Sequence, residues 1–520
     1  MSVDFIEGHW VYDCETYPNI FTLCAVYANG KGIRVFEISD RRDESAQLLD
    51  FLRKVKLNNH SLVGFNNRFF DYGVVHYIID KAKSARRNKE ELKITAEEIY
   101  QVAQDIIMST RDGGFGKTVK DGEVLIPQVD LYKIHHFDNK ARATSLKMLE
   151  FNMRSDNIED LPFPVGMMLT SEQMDVLIKY NKHDVLQTLK FYYHSLEAIR
   201  FRQQLSAKYG FDCTNFNDTK IGKEYFISRL EKNKPGCCYK VGKFGRKVNQ
   251  TKRDKIVVKD ILFPYLEYER PEFKAVKDWF SKQVITETKG AFSDILECNL
   301  GDVANYANMV VKRKKFTSQP SIVDVSKLKA ENPLMWVEEV DLKAKKGAKS
   351  YWACHRVAET LNVVVNGFQF DFGTGGIHGS VESTTILSDD EYTILDADVS
   401  SLYPCIGISN RVYPEHLGES FCDIYEDVYK ERKKYPKGSP ENAVMKLALN
   451  GVYGDSNNEF SPLYDPQYTM TITINGQLSL CMLAERLMTI NDLMIIQINT
   501  DGVTVKLKRK DVDRYYDLLS

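Results

Sequence analysis

The chain has no apolar run long enough to span a bilayer, no CxxC pair, no internal repeat and no low-complexity tract, and each absence removes a class of function. Its ten cysteines are scattered singly apart from Cys237 and Cys238, without metal-ligand spacing, which argues against a zinc ribbon and fits a reduced compartment without disulfides. The opening MSVDFIEGHW has two acids and neither a basic n-region nor an apolar h-region, so no secretory signal is read and a cytosolic location is expected. Formal net charge is only −2, so a nucleic-acid partner would have to be held by local basic surface and not by the field of the whole chain.

What is present is a multidomain globular chain. At 520 residues it exceeds one ordinary core and suggests roughly three domains. Residues 1 to about 80 alternate β-rich runs (WVYD, IFTLCAVYA, SLVGF) with polar turns before a helical pattern, as in an α/β sheet. Met174, Leu177, Ile178, Val185, Leu186 and Leu189 recur at helical spacing, predicting one amphipathic helix from Ser171 to about Ile199 that closes the first domain. From about 200 to 370 we read helices, loops and basic clusters at Lys240 to Lys255, Lys312 to Lys315 and Lys343 to Lys349. Each is either a solvated face or a groove that tracks DNA, and Tyr239, Phe244 and Phe316 beside them suit the second. The glycine-rich FGTGGIHGS, Phe372 to Ser380, could bring backbone close to a ligand but lacks the spacing of a Walker loop. After it we predict a strand ending at Asp398, helices from about Asp423 to Tyr435 and through Lys446, an apolar helix from about Gln477 to Leu487, and a hairpin turning at Asn499 to Gly502.

Two groups of residues carry chemistry. In WVYDCET, Asp13 and Glu15 lie two apart on a strand and leave from one face, where they can share a metal ion. Asp71 follows GFNNRFF, and Asp184 lies four residues after Tyr180, placing phenol and carboxylate on one helical face. Two divalent cations held by such acids can activate water and stabilise both oxygens of an in-line displacement at phosphorus. The words DCE, NRFFD and YNKHD, in that order over about 200 residues, resemble the DnaQ-like, RNase H-like 3′→5′ exonuclease domain of proofreading polymerases. The resemblance implies that Asp13, Glu15, Asp71 and Asp184 are metal ligands, that Tyr180 orients the attacking water, and that Asn67 touches the frayed 3′ strand. Ser145 and Leu146, in TSLKML, resemble a further strand-contacting motif, with a helix-capping hydroxyl as the other reading of Ser145. Asp130, in QVDLYK, reads as structural.

The second group begins with DVSSLYP, Asp398 to Pro404, followed by KLALNGVYG, Lys446 to Gly454, and INTDG around Asp501. These resemble the three polymerase motifs of family B DNA polymerases, usually DxxSLYP, KxxxNSxYG and DTDS. The resemblance implies that Asp398 and Asp501 bind two catalytic metals, and that Tyr403 packs under the incoming sugar and excludes a 2′-hydroxyl. Lys446 and Arg432 would hold triphosphate oxygens, with Asn450 and Tyr453 lining the nucleotide pocket. Asp396, on the same strand face as Asp398, reads as a local hydrogen-bonding residue. Asn499 stands where the family has an aspartate and Gly502 where it has serine, so one charge near the metals is missing.

The expected fold is thus multidomain α/β and α+β. Residues 1–200 would form the exonuclease, 201–370 a connecting, DNA-contacting region, 371–422 and 461–520 a palm of antiparallel sheet with helices, and 423–460 short helical fingers. Only 48 positions separate Asp398 from Lys446, which suits a compact phage or mobile-element polymerase. The implied activity is primer extension from dNTPs with editing, using two Mg²⁺ (or Mn²⁺) ions per site, a DNA primer-template and a single-stranded 3′ end, in the cytoplasm and without a membrane. An exonuclease whose polymerase half only binds DNA is the alternative; an architectural replisome subunit is a third. No thumb follows Asp501, so a separate C-terminal thumb polypeptide is expected. Val512, Tyr515, Tyr516, Leu518 and Leu519 look like an amphipathic helix without a partner in the chain.

Overall fold

Strand His9–Tyr17 is the spine of a five-stranded sheet. It pairs antiparallel with Ile20–Tyr27 and parallel with Ser61–Gly64, and the edges are Arg34–Ser39 and Gln128–Asp130. The computed structural model describes residues 4–520 other than 112–117, 140–141, 243–244, 289–290, 293–309, 317–325, 327–335, 341–350 and 359–360; for residues 310–316, 336–340 and 351–358 it is the backbone that is described. The chain divides into two compact units, Met1–Ile221 and Gly222–Ser520, each a mixture of helix and sheet. No helix among the described residues is long and apolar enough to cross a membrane.

In the first unit the period-two alternation of the spine buries both faces. Tyr12 and Cys14 join a core with Tyr72, Val75, Ile99 and Ile106, while Val11 joins another with Val185, Leu189 and Tyr192. Asp13 and Glu15 therefore emerge toward helix Ser171–His194. That helix starts on a capping box between Thr170 and Gln173. It stops earlier than its periodicity predicts: the Ser195 hydroxyl donates to Phe191 O at 2.9 Å, and a second helix, Leu196–Tyr209, begins there. Leu186 is 42% exposed, so it lies outside the buried stripe to which its spacing assigned it.

The second unit holds a six-stranded antiparallel sheet in the order Asn362–Val365, Phe368–Phe372, Ile377–Ser380, Met494–Asn499, Gly502–Lys508, Tyr392–Asp398. Helix Pro466–Leu487 is buried nearly all round and contacts strand Gly502–Lys508. It begins well before Gln477. The segment YTMTITIN is rich in β-branched residues and reads poorly as helix, but each threonine and asparagine side chain inside bonds one turn back. Thr471 Oγ1 donates to Gln467 O at 2.7 Å, Thr473 Oγ1 to Thr469 O at 2.9 Å and Asn475 Nδ2 to Thr471 O at 2.7 Å.

Two further helices, Ser420–Arg432 and Pro440–Asp455, pack on each other, and Gly222 approaches the second so closely that a Cβ there would lie 2.4 Å from Leu447 C. Residues 200 to 370, read as helices and loops, also contain strands. Tyr239–Gly242 and Gly245–Val248 form a ribbon, and Val310–Phe316, Tyr351–Ala358 and Trp336–Val340 a three-stranded sheet. Lys312 to Lys315 fall on the first of those three strands, whereas Lys343 to Lys349 and Phe244 lie outside the described residues. Helix Val512–Leu519 has a partner, contrary to expectation: it contacts helix Pro466–Leu487 and Tyr515 is 1% exposed, leaving Tyr516 outward.

Candidate functional site

In the first unit, strand Ser61–Gly64 pairs with the spine only as far as Val11. Beyond that point the vacant edge is taken by Asp71, the first residue of helix Asp71–Asn88, whose Oδ1 accepts from Cys14 N at 3.1 Å and Cys14 Sγ at 3.2 Å. A carboxylate at a helix N-terminus is favourably placed for the helix dipole. Across from it, one carboxylate oxygen each of Asp13, Glu15 and Asp184 lie within 4.8 Å of one another. Tyr180, one turn before Asp184 and 6% exposed, hydrogen-bonds to it. The five residues that sequence spacing grouped are thus brought together.

Crowding shapes their acidity. Burial, then the charges of Asp71, Glu15 and Asp184, hold Asp13 well above the usual carboxylate range. Burial, then Asp184 and Asp71, push Glu15 up to about 8. Asp71 and Asp184 each rise to about 6, mainly through burial; the Cys14 donors oppose the rise at Asp71, and Tyr180 opposes it at Asp184. Burial and then Asp184 raise Tyr180, which keeps it a neutral donor. Half-buried acids that repel one another while offering converging oxygens fit divalent, oxygen-seeking cations, which relieve that repulsion.

Four neighbours escaped the sequence reading. Asn181 Nδ2 donates to Asp13 Oδ2 at 2.8 Å; Lys147 is the cation that lowers both Glu15 and Asp184; and Glu150 Oε2 lies 3.0 Å from His183 Nε2 beside Asp184. Asn181, His183 and Lys147 sit inside the words YNKHD and TSLKML, and that adjacency was their signal. Asn67, expected at the frayed 3′ strand, is 0% exposed, with Nδ2 donating to Gln128 Oε1 at 2.9 Å, so its side chain is turned into the sheet. Ser145 accepts from Met148 N at 3.2 Å as the cap of helix Leu146–Asn152, with Leu146 half-buried as its first residue. Asp130 accepts from Asn66 N and Arg68 N and caps helix Leu131–Ile134, a structural role.

In the second unit, Asp398 ends strand Tyr392–Asp398 and stands opposite Gly502. Asp501 lies in the turn before Gly502, its N–H pointing at Asn499 O, and Val399 N donates to Asp501 O at 2.8 Å. The turn carries backbone strain: Thr500, a β-branched residue, sits at φ 52° and is held by its N–H on Ile377 O and its hydroxyl 3.2 Å from His378 Nε2. Burial and then the Asp398 charge raise Asp501 above its ordinary value, so these two acids feel each other and suit a shared cation. Asp396 accepts from Thr504 Oγ1 at 2.7 Å, as a local hydrogen-bonding residue should.

Tyr403, Asn450, Tyr453, Thr500 and Asp501 line one pocket of about 200 Å³. The rings of Tyr403 and Tyr453 are 4.3 Å apart between centroids, and Tyr453 OH is 2.6 Å from Thr473 Oγ1. Tyr403 OH donates to Gly375 O at 2.8 Å, and the Tyr403 ring lies where a side chain on Gly476 would sit 3.0 Å away. The glycine-rich stretch therefore brings its backbone to the Tyr403 hydroxyl. Lys446 and Asn450 are exposed one turn apart, but Lys446 is not among the pocket's lining residues. Arg432 ends its helix with Nε 3.4 Å from Asn442 Oδ1, on the first turn of the facing helix and outside the pocket lining. Asn499 lines a different cavity, about 630 Å³, with Asp371, His378 and Glu382, and its Oδ1 accepts from Thr500 Oγ1 at 3.3 Å.

No family model matches the chain, and no curated protein matches it. Among solved structures it is similar to the family B DNA polymerase from the hyperthermophilic archaeon Pyrobaculum calidifontis, at 14% identity and a TM-score of 0.43, over 98% of this chain and 55% of that one. The chain thus spans about half the length of that polymerase.

Proposed function

We propose that the chain is a DNA-directed DNA polymerase of family B type with a 3′→5′ proofreading exonuclease, acting on a DNA primer-template with dNTPs. The observation that carries the reading is the pocket in which Tyr403, Asn450, Tyr453 and Asp501, drawn from three separate motifs, meet beside Asp398. Chance motif matches have no reason to converge on one cavity. In the first unit, the sheet order and the Asp13, Glu15, Asp71, Asp184 and Tyr180 group support an RNase H-like exonuclease.

At each centre the carboxylates would hold two Mg²⁺ (or Mn²⁺) ions. The ions supply charge stabilisation and an activated oxygen nucleophile for displacement at phosphorus. The chain's own residues do the rest. In the exonuclease unit, Tyr180 stays protonated, gives its one O–H to Asp184 and can accept from the water it positions, while Asn181 fixes the Asp13 carboxylate. In the polymerase unit, Tyr403 is buttressed by Gly375 O and by Tyr453, giving a rigid ring against a sugar. Lys446 and Arg432 offer positive charge for triphosphate oxygens on the two packed helices.

Primer extension with and without dNTPs tests both halves on one substrate: elongation with dNTPs and 3′ trimming without them are expected, and a primer left unchanged in both would refute the reading. The uncharged Asn499, turned into a separate cavity, favours a second reading in which the polymerase half binds DNA without extending it. Trimming without elongation would select it.

A further inference from the structure

Strands Tyr239–Gly242 and Gly245–Val248 form a two-stranded ribbon that joins no larger sheet among the described residues. Lys240, Val241, Arg246 and Lys247 are exposed along it, Val241 at 88%. Such a ribbon is marginal in water by itself, and here its base is clamped. The Glu231 carboxylate accepts from the backbone N–H of Gly236 at 2.8 Å, Cys238 at 2.8 Å and Tyr239 at 3.0 Å. Cys237 and Cys238 are buried, and Asn249 returns the second strand to them, its N donating to Cys238 O at 2.9 Å and its Nδ2 to Cys237 O at 3.0 Å. A firm base thus carries an arm with almost no core of its own.

The charge on that arm works against the fold. The register sets Lys240 directly opposite Lys247, and like charges facing each other across a ribbon destabilise it. Among the described residues neither lysine forms an ion pair or a side-chain hydrogen bond. On the opposite face Arg246 stands 5.5 Å over the Tyr239 ring, beside Val241. One face is therefore a pair of unneutralised cations, and the other a small apolar and cationic surface.

Resting on the reading of the chain as a DNA-acting enzyme, we propose that this ribbon is a docking arm for duplex DNA, with Lys240 and Lys247 together engaging backbone phosphates. Phosphates, one at each lysine, turn a repulsion within the fold into attraction. The duplex is the favoured form because its major groove admits a two-stranded ribbon.

The test is the salt dependence of binding of the full chain to a labelled blunt DNA duplex, read by fluorescence anisotropy, for wild type and for the Lys240→Ala/Lys247→Ala double variant. Each phosphate contact contributes about 0.9 to the slope of log affinity against log salt. The double variant should therefore lower that slope by roughly 1.8 and should melt no lower than wild type, since it removes a repulsion. An unchanged slope, a lower melting temperature, no duplex binding by wild type at low salt, or a loss confined to single-stranded oligonucleotide would each overturn the proposal. Nucleotide incorporation is scored separately on the same preparations. Incorporation with an unchanged slope sinks the arm alone, whereas a reduced slope in a chain that never incorporates nucleotide sinks the polymerase reading and leaves the arm standing.

Discussion

Replacing Glu15 by glutamine should make the metal-free chain more stable at alkaline pH, although it deletes a group of the proposed exonuclease centre. Burial and the charges of Asp184 and Asp71 lift the Glu15 carboxyl from an ordinary 4.5 to about 8. A carboxyl raised in the fold contributes stability that is fully present below its unfolded value and is lost as pH rises through the folded one. At 1.36 kcal/mol per unit, the loss between pH 5 and pH 8 is on the order of 3.5 kcal/mol for this residue alone. For a unit of this size each kcal/mol moves the melting temperature by about 2–4 °C, so the wild-type transition should fall by roughly 7–14 °C over that range. Glutamine cannot ionise, so Glu15→Gln should keep most of that stability. Differential scanning calorimetry in EDTA from pH 5 to 8, repeated in Mg²⁺, measures both. Cation binding favours the charged carboxylates, so Mg²⁺ should flatten the wild-type curve and do less for the variant. Parallel wild-type and Glu15→Gln curves in EDTA would refute the reasoning.

Asp398→Ala or Asp501→Ala should abolish primer extension and leave trimming of a frayed 3′ end intact, because the two proposed centres lie in separate units; gel assays on one labelled primer read both activities. Tyr403→Ala removes the ring packed over Gly476 and should raise ribonucleotide incorporation relative to dNTPs in single-nucleotide extension, with unaltered discrimination counting against a steric gate. Gly222→Ala should destabilise the chain by about 1–3 kcal/mol in urea unfolding, even though the same change in an open helix gains up to about 1 kcal/mol, because the new Cβ would stand 2.4 Å from Leu447 backbone that has no room to move.

Much of both candidate sites was legible because their chemistry is written in local spacing. Two residues apart on a strand put Asp13 beside Glu15, and four apart on a helix put Tyr180 under Asp184. The strand ending at Asp398 and the hairpin turning at Thr500 and Asp501 were likewise visible, since alternation and turn residues are short-range signals. What failed depended on tertiary surroundings. YTMTITIN, with five β-branched residues, has the local preference of a strand, yet burial on all sides and hydroxyl bonds one turn back carry it as helix.

Asn67 illustrates the limit most clearly. Its place in NRFFD suggests a hand held out to a DNA strand, but Gly64 removes the one side chain that would keep it out of the sheet: a Cβ on Gly64 would stand 2.6 Å from Asn67 Cβ. With that space open, Asn67 turns inward to Gln128 and Tyr12 and ties the spine to the edge strand. The tie matters for chemistry. Asp71 follows only four residues later, and its carboxylate can cover the unpaired edge at Cys14 only if the intervening turn is pinned. The motif's asparagine therefore acts on the site through the backbone that carries Asp71, a role set by a glycine three residues upstream and visible only once the sheet is assembled.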